Sequence, residues 1–203
     1  MRDNSFARAA ARIEHHYSTP LMLVLMLVAA GFFWLFNFSA LPLSNPELVR
    51  LSGGEGLLDL MPYYTAREAF SILGKYGAAG RELYLKFLAA DFVFIPVYTF
   101  GFAFLTTRAV RAVCAYGNSW LWLNLLPLGI GTLDNVENFC ILGMLGFYPE
   151  PAMALGTLSG IVTLSKFVLS LLALLSLGGV GLIAITRRLG FMKGDGAWHR
   201  CRR

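Results

Sequence analysis

The sequence predicts an all-α membrane protein, a four-helix transmembrane bundle with an additional amphipathic helix on its outer face. Three observations lead to this fold class: the composition, four long apolar segments, and the placement of the basic residues. Of the 203 residues, 57% are hydrophobic and only 14% are charged, whereas about 25% of the residues of a soluble domain are charged. We therefore treat residues 1–203 as a single membrane domain.

Four segments are long enough to cross a bilayer, which takes roughly 20 apolar residues in a helix. They are Leu21–Leu41, Phe87–Thr106, Trp120–Tyr148 and Thr157–Ile185. None of them alternates between apolar and polar residues as the strands of a membrane β-barrel do, so we expect helices. Pro96 and Pro127 fall inside the second and third segments, and we expect each proline to kink its helix.

The basic residues are distributed unevenly among the segments that connect these spans. With four spans, eleven of them lie on one side: Arg2, Arg8, Arg12, Arg108, Arg111, Arg187, Arg188, Lys193, Arg200, Arg202 and Arg203. In the loop over residues 42–86, on the other side, five basic residues are matched by five acids: Glu47, Glu55, Asp59, Glu68 and Glu82. The positive-inside rule then places both termini on the cytoplasmic side or its equivalent.

This distribution also bears on partners. A basic tail beside a bilayer is typical of an orientation signal or an anionic-lipid contact, so the net charge of +5 predicts no nucleic-acid partner. The lipid bilayer is the expected partner, together with other membrane proteins or further copies of the chain.

The loop over residues 42–86 is long, which is typical of a loop with structure or function of its own. Within it, Thr65-Ala66-Arg67-Glu68 has the pattern of a capping box at a helix N-terminus. Apolar residues then follow at helical spacing, at Ala66, Ala69, Phe70 and Leu73. We expect a short amphipathic helix on the outer face, acting either as a packing element or as a gate.

The segment "GTLDNVENFC" places polar residues inside the third apolar span. Asp134, Glu137 and Asn138 are spaced i, i+3, i+4 and so share one face of a helix. Asn124 and Gly131 are predicted on the same side of that helix. Polar groups at this depth are expected to face other helices instead of lipid.

A second polar stripe follows the fourth span at alternating spacings of three and four residues. Small residues at this spacing let helix backbones approach closely, and Lys166 lies in the middle of the stripe. Its members are Gly156, Ser159, Thr163, Lys166, Ser170 and Ala173. At about 1.5 Å per residue from the outer ends of their spans, Glu137 lies about 16 Å deep and Lys166 about 15 Å deep. We therefore predict an intramembrane ion pair between Glu137 and Lys166.

That pair leaves Asp91 and Asp134 without a partner. An ionised side chain at the bilayer centre costs roughly 2.5–3.5 kcal/mol on insertion scales. Because burial favours the uncharged form of an acid, we expect at least one of the two to be protonated, hydrated or bound to a cation.

Two interpretations of the polar residues stay open. In the first, Asp91, Asp134, Glu137, Asn138 and Lys166 line an outward-facing polar cavity that handles a proton, a cation or a small polar ligand. In the second, they form a hydrogen-bonded network that fixes the helices of a non-catalytic subunit of a larger membrane complex. The pattern identifies no cofactor and no catalytic residue, and an embedded enzyme is a third, weaker interpretation.

Metal and redox chemistry find little support among the cysteines and histidines. Cys114, Cys140 and Cys201 form no C-x-x-C pair, so neither a disulfide framework nor a zinc site is predicted. The histidines, His15, His16 and His199, all lie outside the apolar spans. No metal-binding residue is therefore assigned.

Three segments, "YYTAREAF", "GRELYLKFLAADFVFIPVY" and "LPLGIGTLDNVEN", carry a resemblance. Together they resemble a family of four-helix integral membrane proteins, chiefly bacterial, with D-x-x-E-N in the third span. The likeness covers about residues 63–140. No activity is established for that family, so the resemblance implies the architecture and points to Asp91, Asp134, Glu137 and Asn138 without naming a function.

Overall fold

The structure, a computed structural model, describes residues 5–113 and 119–189, and every regular element in these two ranges is a helix. The α-helices of the described ranges are α1 (Ser5–His16), α2 (Thr19–Phe38), α3 (Asn45–Ser52), α4 (Ala66–Lys75), α5 (Gly77–Val113), α6 (Leu126–Phe147) and α7 (Met153–Arg188). Short 3-10 helices occupy Leu58–Leu60 and Ser119–Leu125. The all-α prediction is confirmed for this part of the chain.

Three of these helices are long and apolar enough to cross a membrane: α2, α5, and α7 as far as Arg187. Helix α6 has 22 residues but is not among them. Its apolar residues are interrupted by the run from Asp134 to Asn138, which lowers its hydropathy. The prediction of a fourth span therefore remains a prediction.

Several helices extend beyond the predicted spans. Helix α5 begins at Gly77 instead of Phe87 and continues to Val113 instead of Thr106. Arg108 and Arg111, predicted in an inner loop, are thus part of a helix. The hydrocarbon thickness limits only the apolar part of a spanning helix, and polar turns extend it into water.

The prediction that Pro127 kinks a long third span is wrong. Helix α6 begins at Leu126, so Pro127 lies in its first turn. Backbone N–H groups in the first turn have no acceptor within the helix, so the N–H that proline lacks is not missed there. The residues before it form the separate 3-10 helix Ser119–Leu125. Pro96, by contrast, does lie inside α5.

The loop over residues 42–86, predicted on the outer side and called the outer loop below, contains the predicted capped helix and one helix that was missed. The Thr65 hydroxyl accepts from the Glu68 backbone N–H at 3.3 Å, and Glu68 Oε2 accepts from the Thr65 backbone N–H at 2.7 Å. This confirms the capping box of α4. The missed helix is α3, whose first turn is capped by the Ser44 hydroxyl.

At the opposite end of the bundle, α1 packs against the 3-10 helix Ser119–Leu125 and against α5. Arg111 Nε lies 3.2 Å from Glu14 Oε1, and the Asn124 amide donates to the Ala10 carbonyl at 3.1 Å. Asn124 therefore contacts α1. The prediction that Asn124 lies on the same helix face as Asp134 is wrong, because α6 begins only after Asn124. Arg187 donates to the Val113 carbonyl, so α1 and the end of α7 meet at the same end of the bundle.

Several sequence predictions concern residues outside the described ranges. They are Arg2, Cys114, Lys193, His199, Arg200, Cys201, Arg202 and Arg203.

Candidate functional site: a buried acidic cluster around Lys166

Helices α5, α6 and α7 bring the five predicted residues together in one buried cluster. Lys166 Nζ lies 2.5 Å from Glu137 Oε2, which confirms the predicted ion pair. The same ammonium lies 2.8 Å from Asp134 Oδ1. Lys166 thus bridges two carboxylates, whereas the sequence analysis had left Asp134 without a partner.

Glu137 is the most deeply buried member, with no exposed surface. The Thr163 hydroxyl donates to Glu137 Oε1. Thr163 belongs to the small polar stripe of α7, which therefore faces the cluster as predicted. Ser170 and Ala173, further along the stripe, line an apolar groove of about 240 Å³ between α5, α6 and α7.

Asp134 is held by partners on two different helices. Besides Lys166, it accepts a hydrogen bond of 2.6 Å from the Tyr98 hydroxyl of α5. The side chains of Asp134 and Lys166 are 13% and 12% exposed, so this part of the cluster is buried but not sealed.

Asp91 occupies the most unusual position in the cluster. It is 6% exposed, and its Oδ2 accepts a hydrogen bond of 2.7 Å from the Asn138 amide nitrogen. Asn138 is itself 1% exposed, and its Oδ1 has no hydrogen-bond partner among the described residues. Within residues 5–113 and 119–189, Asp91 makes no ion pair, although it lies inside the protein.

A fourth acid, Asp59, reaches the cluster from the outer loop and was missed. It lies in the 3-10 helix Leu58–Leu60 and accepts a hydrogen bond of 3.2 Å from the buried Tyr84 hydroxyl. Burial raises the pKa of Asp59; the charge of Lys166 acts in the opposite direction, and that of Asp134 raises it further. The sequence analysis counted Asp59 among the surface acids, although its apolar setting in "LLDLM" resembles that of Asp91.

The outer segment 57–64 covers the cluster on the side of α7. The Tyr64 side chain, almost fully buried, lies 2.6 Å from the Ser159 hydroxyl. Burial, and then the charge of Glu137, raise the pKa of Tyr64 to about 12, so this hydroxyl stays protonated. A Cβ at Gly160 would overlap the Tyr64 carbonyl oxygen, which explains the glycine at this contact.

The charges of the cluster do not cancel. The carboxyl groups of Asp59, Asp91, Asp134 and Glu137 face the single ammonium of Lys166, so full ionisation would leave three uncompensated negative charges. A buried, unpaired carboxylate is expensive, and such a group usually takes up a proton. The cluster therefore has the composition of a site that binds protons or a cation.

The arrangement of the acids also bears on metal binding. In the two described ranges, no group of three or more His, Cys, Asp or Glu side chains is arranged to hold a metal ion. Between Asp134 and Glu137, the position that a cation would take is filled by the Lys166 ammonium. The outward opening of the predicted cavity remains a prediction, since Asp91, Glu137 and Asn138 are all buried in this conformation.

No protein-family model matches the chain, and neither does any curated protein or solved structure. The family resemblance carried by the three sequence segments therefore remains a prediction.

Proposed function

We propose that this chain is a four-span membrane protein whose acidic cluster takes up and releases protons. In this proposal α2, α5, α6 and α7 cross the membrane, and α3 and α4 cover their outer ends. Three of the four helices are apolar enough to span. The meeting of α1 with the end of α7 at one end of the bundle supports an even number of spans, with both termini on the cytoplasmic side.

Helix α6 is the one proposed span that is not apolar enough to count as a candidate by composition, and its neighbours account for this. It packs mainly against α7 and α5, which cover its polar face. Ionisable residues inside membrane segments usually face a bundle interior and mark ion or proton pathways. The position of Asp134 and Glu137 therefore supports both the fourth span and a role for the cluster.

A proton is favoured over a metal cation or a polar ligand by the position of Lys166. Its ammonium already lies between two of the acids, so a metal ion there would meet a positive charge. At Asp91, Oδ2 already accepts the N–H of Asn138, so this oxygen is occupied by a donor that offers a cation no ligand. A proton needs no coordination shell and neutralises a buried carboxylate directly.

The burial of Asp91, with an amide as its hydrogen-bond partner and no counterion among the described residues, is the observation that carries the proposal. Its test is an infrared pH titration of the protein in lipid nanodiscs. We expect the C=O band of a protonated carboxylic acid at neutral pH, which disappears reversibly at alkaline pH. Asp91→Asn should make this band smaller by the contribution of one carboxyl group.

The matched control is Glu82→Gln, on the same helix. Glu82 is exposed and paired with Lys86 at 2.8 Å, so its removal should leave the band unchanged. A wild-type spectrum without a protonated carboxylic acid at any pH between 5 and 8 would contradict the proposal.

The second candidate is a non-catalytic subunit of a larger membrane complex. It is favoured by the open apolar faces of α2 and α7. In the most apolar segments of these two helices, only 17% and 6% of the residues are buried inside the protein. Either lipid or a partner protein covers such faces. A large stoichiometric assembly in mild detergent, combined with an unchanged infrared titration in Asp91→Asn, would favour this candidate.

A further inference from the structure

We propose that Asp59 is the group through which protons from the outer side of the protein reach the buried cluster. This inference rests on the proposed proton-handling function and adds a residue and an entry side to it. Asp59 lies outside every candidate span, in a segment that touches both the outer surface and the cluster.

The position of Asp59 at a boundary is the first supporting observation. Asp59 is partly exposed, whereas Asp91 and Glu137 are buried. Its carboxylate nevertheless points inward, since Oδ1 accepts from the Tyr84 hydroxyl at 3.2 Å. The same hydroxyl accepts the Leu58 backbone N–H at 3.2 Å, which fixes the 3-10 turn that carries Asp59.

The second observation is that Asp59 interacts electrostatically with every helix of the cluster. Its direct contact is with Tyr84 of α5. Its charge also acts on Asp91 of α5 and Glu137 of α6, and the charges of Asp134 and Lys166 act on it. Near the loop, its charge acts on Tyr64 and Tyr76. The positive charge of Lys166 favours the ionised form of Asp59, and the negative charge of Asp134 disfavours it. No ion pair among the described residues therefore holds Asp59 as a carboxylate, and Asp59 still interacts with the other acids. A carboxyl group in such surroundings can gain and lose a proton without breaking a salt bridge.

The third observation is the tight packing of the rest of this covering segment. The segment 57–64 fits tightly on α7, with the Tyr64 backbone against Gly160 and the Tyr64 hydroxyl against Ser159. Leu57 and Leu58 are almost fully buried beside Asp59. Asp59 is therefore the carboxyl group that this covering segment offers to the cluster.

The transfer itself conserves charge and protons. An outer hydronium ion gives its proton to the Asp59 carboxylate, which becomes a neutral carboxylic acid. When Asp59 passes the proton on, its carboxylate is restored and one acid of the cluster becomes neutral. No bond other than an O–H bond forms or breaks.

The test is a pH jump on the protein in nanodiscs, followed by time-resolved infrared spectroscopy of the carboxyl band. Asp59→Asn should slow the appearance of the Asp91-dependent band by roughly a hundredfold, the lower end of what a positioned proton-transfer group contributes. The final amplitude of that band should stay. Asp59→Glu should restore the wild-type rate, because it restores the carboxyl group.

Glu55→Gln is the matched control for Asp59→Asn. Glu55 lies in the same loop but pairs with Lys75 at 2.5 Å on the surface, so the variant should respond at the wild-type rate. A wild-type rate in Asp59→Asn would overturn the inference and leave the proposed function standing. A wild-type protein with no titrating band would overturn both. If Asp59→Asn fails to fold, the rate of Asp59→Glu decides, and a slow response there overturns the inference.

Discussion

Buried charged groups occur in two regions of the helix bundle: the end where α1 packs and, nearer the opposite end, the acidic cluster. We call these regions the two ends of the bundle, and they differ in their balance of charge. At the end where α1 packs, Glu14 pairs with Arg111, and the Asn124 amide satisfies the Ala10 carbonyl. At the other end, four acids face one ammonium. A matched pair is adequately explained by packing, whereas an excess of buried acid costs free energy and calls for a proton or another ligand.

The two ends also differ in what surrounds them. Glu14 and Arg111 connect an amphipathic helix to the end of α5, close to exposed residues such as Arg108 and His15. The acidic cluster is enclosed by α5, α6, α7 and the outer segment 57–64. The comparison predicts that mutations at the cluster change both stability and proton binding, and that mutations at the Glu14–Arg111 pair change stability alone.

The largest expected effect is that of Lys166→Met, which removes the cation between Asp134 and Glu137. Breaking a buried pair from one side costs about 3–5 kcal/mol, because the remaining charge is left uncompensated. The loss should shrink at acid pH, where the acids are protonated. Denaturant unfolding in detergent at neutral and acid pH measures both values, and a loss below about 1 kcal/mol at neutral pH would contradict this account of Lys166.

The next largest effect concerns the contact of the outer segment with α7. Gly160→Ala should destabilise the protein by about 1–3 kcal/mol, because the new methyl group meets the Tyr64 carbonyl. Gly181→Ala is the matched control on the same helix, with nothing within 4 Å of its Cβ position. It should be neutral or stabilising by about 0.5–1 kcal/mol, and equal losses in the two variants would argue against a tight outer segment.

A smaller effect is expected at the other end of the bundle. Glu14→Gln keeps the shape of the side chain but removes the charge that faces Arg111. The Arg111 side chain is 21% exposed and still donates to the Glu14 carbonyl, so we expect a cost of about 1 kcal/mol. The infrared carboxyl titration of this variant should match that of the wild type. A changed titration would mean that the two ends are coupled, and the comparison between them would fail.

The last prediction is a pH dependence of stability due to Asp59, whose size depends on the pH interval that is compared. Burial raises its pKa, so the folded state binds its proton more tightly than the unfolded state does. The stability that this proton contributes is complete below the ordinary pKa of about 3.9 and is lost as pH rises through the folded value. Relative to the wild type, Asp59→Asn should lose less stability on raising the pH, by at most about 1.4 kcal/mol per pH unit. If the stability of the wild type and of Asp59→Asn changed with pH in parallel, Asp59 would not be desolvated in the folded protein, and this prediction would be contradicted.

Much of the cluster follows from sequence spacing alone. The i, i+3, i+4 pattern of Asp134, Glu137 and Asn138 fixes one helix face, and equal depth selects Lys166 as a partner for Glu137. The stripe of small residues on α7 shares one helix face because its residues are also spaced three and four apart, and Thr163 and Lys166 of this stripe contact the cluster. Periodicity determines which side chains share a face, so these predictions needed no tertiary information.

The contacts that sequence could not supply depend on the path of the chain between helices. Asp59 reaches the cluster only because the outer loop folds back onto α7, and Asn124 turns toward α1 because α6 begins after it. Helix α1 has a strongly amphipathic pattern that the sequence analysis passed over as a tail. Its burial of Ile13 and Glu14 depends on a partner surface that local pattern does not reveal.

The most direct test of the central claim counts the protons released when the protein unfolds at pH 7. If the cluster holds acids in their neutral form, unfolding exposes them to water, and they ionise and release protons. Wild-type protein and Glu14→Gln should release the same number, and Asp91→Asn about one proton fewer per chain. Equal proton release from wild type and Asp91→Asn would contradict the claim that the excess buried acid of this protein carries protons.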